Sequence, residues 1–266
     1  MPRPSLRILR LPTSRARRKR LLAMFLIFAT ILAFLTPFYI IYKPPAPLIQ
    51  YFQHRWPDVL WHVRGNVLQD KLIALTIDDA PSEFTREIVD VLVQHAARAT
   101  FFVIGAQAGG REDVLKSVVA AGMELGNHAM HDEPSRSLLP STLAAEVQSV
   151  ERIINATYES LDWPHPPRYF RPGSGFFSSR MREQIGAMGY KMVLGSVYPH
   201  DPQIGYAGVN ARHVLSMVRQ GSIVICHDRR GWTAPMLRIV LPELKKRGYT
   251  VTTVSGLLEA ASQHRG

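Results

Sequence analysis

Ionisable residues gather behind five short apolar runs of this chain. Asp78-Asp79 follows the first, and His128, His131 and Asp132 follow residues 124–127. Arg171 stands behind a third run, Asp201 beyond a fourth, and His227-Asp228 ends the fifth. Taken singly, each has an ordinary explanation. An Asp pair after a strand often caps a helix, and a lone histidine is usually a satisfied core or surface residue. Five strand ends that all carry ionisable groups are a different observation. A rim with Asp, His and a further His or Asp supplies three protein ligands to zinc or a similar divalent ion and leaves a coordination position open for water.

The elements that must position these residues alternate in type. Strand-like runs lie at 71–77, 99–104, 124–127, 168–170, 190–197, 222–226 and 249–254. Helical spacing occupies 85–96, 111–121, 141–160, 178–188, 210–219, 234–247 and 257–262. Gly122, Gly189 and Gly248 stand where three of these helices should stop, and Asn210 reads as an N-cap. Such alternation argues for parallel strands joined by crossover helices. The expected fold is α/β, a distorted (β/α) barrel with seven or eight parallel strands. A barrel of this kind carries its chemistry at the C-terminal ends of its strands, where the ionisable residues fall.

Five motifs carry a resemblance to a known family. They are Thr76-Ile77-Asp78-Asp79-Ala80-Pro81, Gly126-Asn127-His128-Ala129-Met130-His131-Asp132, Phe170-Arg171-Pro172-Gly173-Ser174-Gly175, Asp201-Pro202, and Ile223-Val224-Ile225-Cys226-His227-Asp228. In order and spacing they resemble TFDDGP, GNH(S/T)xxH, FRPPYG, an Asp usually followed by Trp, and an apolar strand ending in His-Asp. This is the pattern of the polysaccharide deacetylase (NodB-homology) family, carbohydrate esterase family four. The similarity covers roughly residues 70–258. It implies a distorted (β/α) barrel and one divalent metal ion, zinc first, with cobalt or manganese as alternatives. By position, the resemblance makes Asp78 the general base, Asp79 and His128 metal ligands, and Arg171 the group that orients Asp78. His227 would be the general acid and Asp201 its charge partner. The Ser174 N–H would join the metal in stabilising the oxyanion.

The sequence departs from the family pattern in four places. The family's second histidine lies four residues after the first; here that position is Asp132, and His131 is one residue short. Either His131 ligates after a loop adjustment, or Asp132 does, giving a harder Asp-His-Asp site; register favours Asp132. Gly173 and Ser174 replace a proline and an aromatic, with Phe176 and Phe177 nearby as substitutes. Ala80 replaces a glycine. Pro202 replaces the tryptophan of the acetyl pocket, for which Trp232 is the substitute. Met130 reads as a filler, and His95, His165 and His213 lie away from the expected rim. Cys226, the single cysteine, has no assigned base beside it and reads as part of the strand wall, which excludes an internal disulfide.

The formal charge is +11, but residues 1–20 hold eight basic side chains and no acid. That leaves +3 on the remainder, so a nucleic-acid-binding face on the folded part is not indicated. Residues 21–42 are uncharged and apolar, close to the ~20 residues that span a bilayer. No small-x-small cleavage site follows, so the stretch reads as a single-pass signal-anchor rather than a cleaved signal peptide. The basic cluster places the N-terminus in the cytosol and everything after the span in the lumen or outside. Residues 43–50 are proline-rich and read as a stiff spacer. The expected organisation is a tail at 1–20, an anchor at 21–42, a linker and lead-in at 43–69, and a catalytic domain at 70–262. Asn155-Ala156-Thr157 is a glycosylation sequon. The expected function is metal-dependent removal of N-acetyl groups from a chitin-like or related N-acetylglucosamine polymer. The alternative is an inactive glycan-binding domain on a membrane anchor.

Overall fold

The computed structural model describes residues 14–65, 68, 70–164 and 166–263. Residues 1–13 of the basic tail and His165 lie outside the described residues. The chain divides into two compact units between Pro45 and Ala46. The first holds helix α1 (Ser14–Tyr42), which takes in residues 14–20 of the basic tail as well as the apolar stretch, with Pro37 inside it. From Arg17 to Tyr42 it is long and apolar enough to cross a membrane. Its large side chains, Phe25, Ile27 and Phe34 among them, are exposed.

The second unit is built on seven parallel strands: β1 (Leu72–Ala80), β2 (Ala99–Val103), β3 (Glu124–Asn127), β4 (Tyr169–Phe170), β5 (Lys191–Met192), β6 (Ile223–His227) and β7 (Thr250–Thr252). The order is β5-β4-β3-β2-β1-β6, and β7 pairs with the first three residues of β1. Between them run α3 (Thr85–Gln94), α4 (Gly105–Ala108), α5 (Glu112–Ala120), α6 (Pro140–Glu159), α7 (Ser179–Ala187), α8 (Ala207–Met217) and α9 (Thr233–Lys246), and α10 (Val254–Ser262) follows β7. The expected C-cap glycines follow α5, α7 and α9 in left-handed backbone, with φ of 79°, 80° and 79°. The sequon lies inside α6, where the buried Thr157 hydroxyl donates to the Ile153 carbonyl.

Strand periodicity sorts the side chains into two layers. Leu75, Ile77, Phe101, Val103 and Leu125 join residues of α3, α5 and α9 in the main core. Ala74, Phe102 and Ile223 belong instead to a second cluster with Val254 and Leu257. Register makes the rows continuous: Ile77 is opposite Phe101, and Phe101 opposite Leu125. Gly126 sits in this wall because a β-carbon there would stand 2.7 Å from the Phe102 ring.

Three expectations are corrected. Residues 46–50, read as spacer, open helix α2 (Ala46–Arg55), whose first turn tolerates Pro47 because its missing N–H has no intrahelical partner there. Residues 60–63 of the lead-in join the sheet wall: Leu60 N–H donates to Met192 O at 2.9 Å, Leu194 N–H to Leu60 O at 2.8 Å, and Val63 N–H to Gly221 O at 2.9 Å. The long strand expected at 190–197 forms a ladder only over Lys191–Met192, because β4 is two residues long. Beyond it the chain changes partner, first to Leu60 and then, at Val197, to Val224. Asn210 does not cap α8. The helix starts earlier, at Ala207, and the buried Asn210 amide donates to Ile204 O at 2.7 Å, tying down the preceding loop.

Phe101 is fully buried between two strands and the helical layer. Phe101→Ala should lower unfolding free energy by about 3–5 kcal/mol. Urea denaturation measures this, and a loss under ~1 kcal/mol would show that the row does not carry the core.

Candidate active site

Parallel pairing in register brings the strand ends to one rim. Asp78 on β1 stands opposite His227 on β6. Asn127 at the end of β3 pairs with Phe170 of β4, so His128 and Arg171 emerge side by side. The backbone then turns sharply at two of these ends. Asp79 and Ala129 both have left-handed φ, 64° and 63°, and the buried Asn127 side chain accepts from Ala129 N–H at 3.0 Å to hold the second turn.

Arg171 is buried, and its guanidinium is bonded on every nitrogen. Nη1 donates to Asp78 Oδ1 at 2.5 Å and to Thr76 Oγ1 at 2.6 Å. Nε donates to Val193 O at 3.0 Å, and Nη2 to Leu194 O at 3.2 Å. Its Cζ lies 4.2 Å from the centre of the Phe102 ring. Burial lowers the Arg171 pKa, and the Asp78 carboxylate opposes that.

On the other side of the rim, His227 is bound twice by the fully buried Asp201. Its N–H donates to Oδ2 at 2.8 Å, and its Nδ1 lies 2.9 Å from Oδ1. Burial disfavours the imidazolium, but the bond and charge of Asp201, with the charges of Asp78 and Asp79, overcome it and raise the pKa to about 9. Asp228, next in sequence, serves structure. It accepts from Ser82 Oγ at 2.5 Å and from Thr85 Oγ1, joining the β1–α3 loop to the end of β6.

Asp79 and His128 form the part of the site suited to a cation. Asp79 Oδ1 lies 3.7 Å from His128 Nε2, and both residues are buried. His128 Nδ1 lies 2.7 Å from Arg171 O. A carbonyl only accepts, so Nδ1 carries a proton; in the neutral ring the Nε2 lone pair then faces Asp79, the arrangement typical of a ligating histidine. Burial raises the Asp79 pKa, Asp78 and Asp132 add to this, and His128 and His227 oppose it. These two donors fit a divalent ion. The third is not assembled: among the described residues no group of three His, Cys, Asp or Glu side chains converges. His131 and Asp132 are both exposed. The Asp132 carboxylate lies 3.5 Å from Arg229 Nη1, yet near enough to Asp79 to act on its charge.

The remaining expected residues lie around this centre. Ser174 is exposed in a turn with φ of 60°. Trp232 donates from Nε1 to Asp201 O at 2.9 Å and packs on Gly205. Cys226 is buried in the main core, and burial pushes its thiol pKa well up. His213 was expected away from the rim, but ring contacts link it through His200 and Tyr198 to His227. Sequence reasoning missed Tyr198, whose ring meets His227 edge-on at 5.8 Å and whose hydroxyl pKa rises to about 12, mainly by burial. It directly follows the expected 190–197 run but is uncharged at neutral pH, so no charge marks it in the sequence. Arg229 was missed too, although it directly follows His227-Asp228.

A family model described as polysaccharide deacetylase matches residues 65–193, which stops short of Asp201 and His227. Peptidoglycan-N-acetylglucosamine deacetylase of Bacillus cereus is 32% identical over 206 residues, covering 75% of this chain and 92% of the relative. Chitooligosaccharide deacetylase of a Bradyrhizobium species is 31% identical over 204 residues, covering 70% and 90%. The solved structure of peptidoglycan deacetylase PdaC from Bacillus subtilis matches with a TM-score of 0.68 at 26% identity, covering 74% of this chain and 94% of that one.

The Asp201–His227 pair has a pH signature. A histidine whose folded pKa is raised contributes stability that is fully present below about 6.5 and is lost as pH rises through about 9. Asp201→Asn should return the His227 pKa towards the ordinary imidazole value of about 6.5. NMR titration of the His227 ring reads this directly, and a His227 that still titrates near 9 in the variant would remove Asp201 from the role.

Proposed function

Because the chain belongs to the polysaccharide deacetylase family and is a hydrolase acting on amide bonds, we propose that it removes N-acetyl groups from a cell-wall-type N-acetylglucosamine polymer, releasing acetate. The names of the Bacillus cereus and Bradyrhizobium relatives support a chitin-like or peptidoglycan-like substrate. The observation that carries the reading is the pairing of Asp78 and His227 on adjacent strands, each held by a buried partner of opposite sign. A base and an acid kept in opposite protonation states on one reaction centre are what amide hydrolysis requires.

Asp78 uses Oδ1 for Arg171 and has Oδ2 for a proton from the attacking water. His227 has Nδ1 on Asp201, which leaves Nε2 to protonate the departing sugar amine. The Ser174 N–H, at the exposed turn, donates to the developing oxyanion, and Trp232 lines the acetyl side. Asp79 and His128, with Asp132 or else His131, would hold a divalent ion, zinc first, that supplies Lewis-acid charge to acidify water and polarise the acetyl carbonyl. Register, with Asp132 four residues after His128, favours Asp132 as third donor. Helix α1 is the membrane anchor in this reading, with the basic residues on the cytosolic side and the catalytic unit in the lumen or outside. A second reading, an inactive glycan-binding domain, is favoured by the exposure of both His131 and Asp132.

Full-length protein in detergent, incubated with N-acetylglucosamine oligomers and zinc, should release acetate. Asp78→Asn should lower kcat by about 10²–10⁴-fold. Asp132→Ala should lower metal affinity at least about tenfold, and His131→Ala should not. A folded protein that retains no metal and releases no acetate from several acetylated glycans would favour the binding-domain reading.

A further inference from the structure

The loop that carries Ser174, residues 173–178, is anchored at its two ends and exposed at residues 174–176. At one end Gly173 N–H donates to Ser135 Oγ at 2.8 Å. At the other, Ser178 Oγ accepts from Met181 N–H at 3.2 Å and caps α7. Ser174 and Gly175 between them are both left-handed, with φ of 60° and 73°. A serine in that region carries a backbone cost of ~1–2 kcal/mol and stays there only where its surroundings over-determine it.

What holds the far end is an aromatic cluster supplied by the lead-in. Phe177 meets Trp56 edge-on at 5.2 Å and Trp61 at 6.3 Å. Phe52 lies 4.9 Å from Trp61 and 5.5 Å from Trp56, and the two tryptophans stack at 6.1 Å. The same segment reaches α7 through Asp58, which pairs with Arg182 at 3.0 Å. It is fixed to the sheet by the two backbone bonds of Leu60. Phe52, Trp56 and Trp61 all precede residue 65, where the family match begins. Rings of this size place large apolar area against Phe177 at little entropic cost, which suits a rigid mount.

We propose that Phe52, Trp56 and Trp61 are positioning residues: with Phe177 they clamp the 173–178 loop so that the Ser174 N–H is held at the reaction centre. The catalytic half of the proposal rests on the reading of Ser174 as oxyanion donor. The clamp itself does not.

Full-length protein in detergent is compared with Trp56→Ala, Trp56→Phe and Phe177→Leu by hydrogen exchange and by acetate release. In Trp56→Ala the amides of residues 173–178 should exchange about tenfold faster or more, while those of β1 do not change. Its kcat should fall about tenfold with KM within about twofold, since misplacement of a transition-state donor spares ground-state binding. Trp56→Phe should restore most of both, and Phe177→Leu should reproduce the loss. Should Trp56→Ala fail to fold, Phe177→Leu gives the same two readings. Unchanged loop exchange overturns the proposal, as does faster exchange with unchanged kcat. If wild-type protein releases no acetate while loop exchange still responds to Trp56→Ala, the deacetylase reading has failed and the clamp stands.

Discussion

A guanidinium with no access to water is the constraint around which this domain is arranged. Removing Arg171 from solvent is costly unless each of its nitrogens is hydrogen-bonded and its charge is met. The fold meets both conditions with groups drawn from separate elements: Asp78 and Thr76 from β1, and the carbonyls of Val193 and Leu194 from the stretch after β5. Phe102 of β2 lies beneath the guanidinium, and the absence of a side chain at Gly126 leaves room for that ring. The Arg171 carbonyl meanwhile sets the tautomer of His128. One residue thereby couples the proposed base, the proposed ligand and the sheet wall.

The second consequence is electrostatic. In-register pairing sets Asp78 and His227 next to each other, and each has its own buried counter-charge in Arg171 and Asp201. Asp201 holds the His227 imidazolium, while Asp78 is paired with Arg171. Asp228 and Tyr198 complete this corner without titratable roles, one by bolting the β1–α3 loop to β6 and the other by packing on the His227 ring.

The cation side of the rim is less finished than the acid–base side. His128 and Asp79 are buried and oriented, whereas the residues able to supply a third donor are exposed and one of them faces Arg229. The contrast has a local cause. Asn127 and the Ala129 turn are fixed by side-chain bonds to the sheet and to α6, while residues 131 and 132 lie past that support.

Much of the fold follows from local sequence. Buried parallel strands need apolar runs, crossover helices need 3.6-residue spacing, and glycine is required where a helix ends in left-handed backbone, as at Gly122. These signals sit among near neighbours, so β3 and the helices around it, with the gathering of Asp78, His128, Arg171 and His227 at strand ends, could be read from the chain alone. Tertiary structure decided whatever depends on a distant partner. The strand expected at 190–197 stops early because β4 is too short to pair with it. Residues 46–50, expected as spacer, open a helix, and residues 60–63 join the wall, because Leu60 finds Met192 and Leu194 and the tryptophans find Phe177. Asn210 joins a loop instead of capping because α8 begins a turn before it. Whether Asp132 or His131 would complete the proposed cation site belongs to this second kind. Residue type allows both, and only the path of the loop, set by contacts far away in sequence, can choose between them.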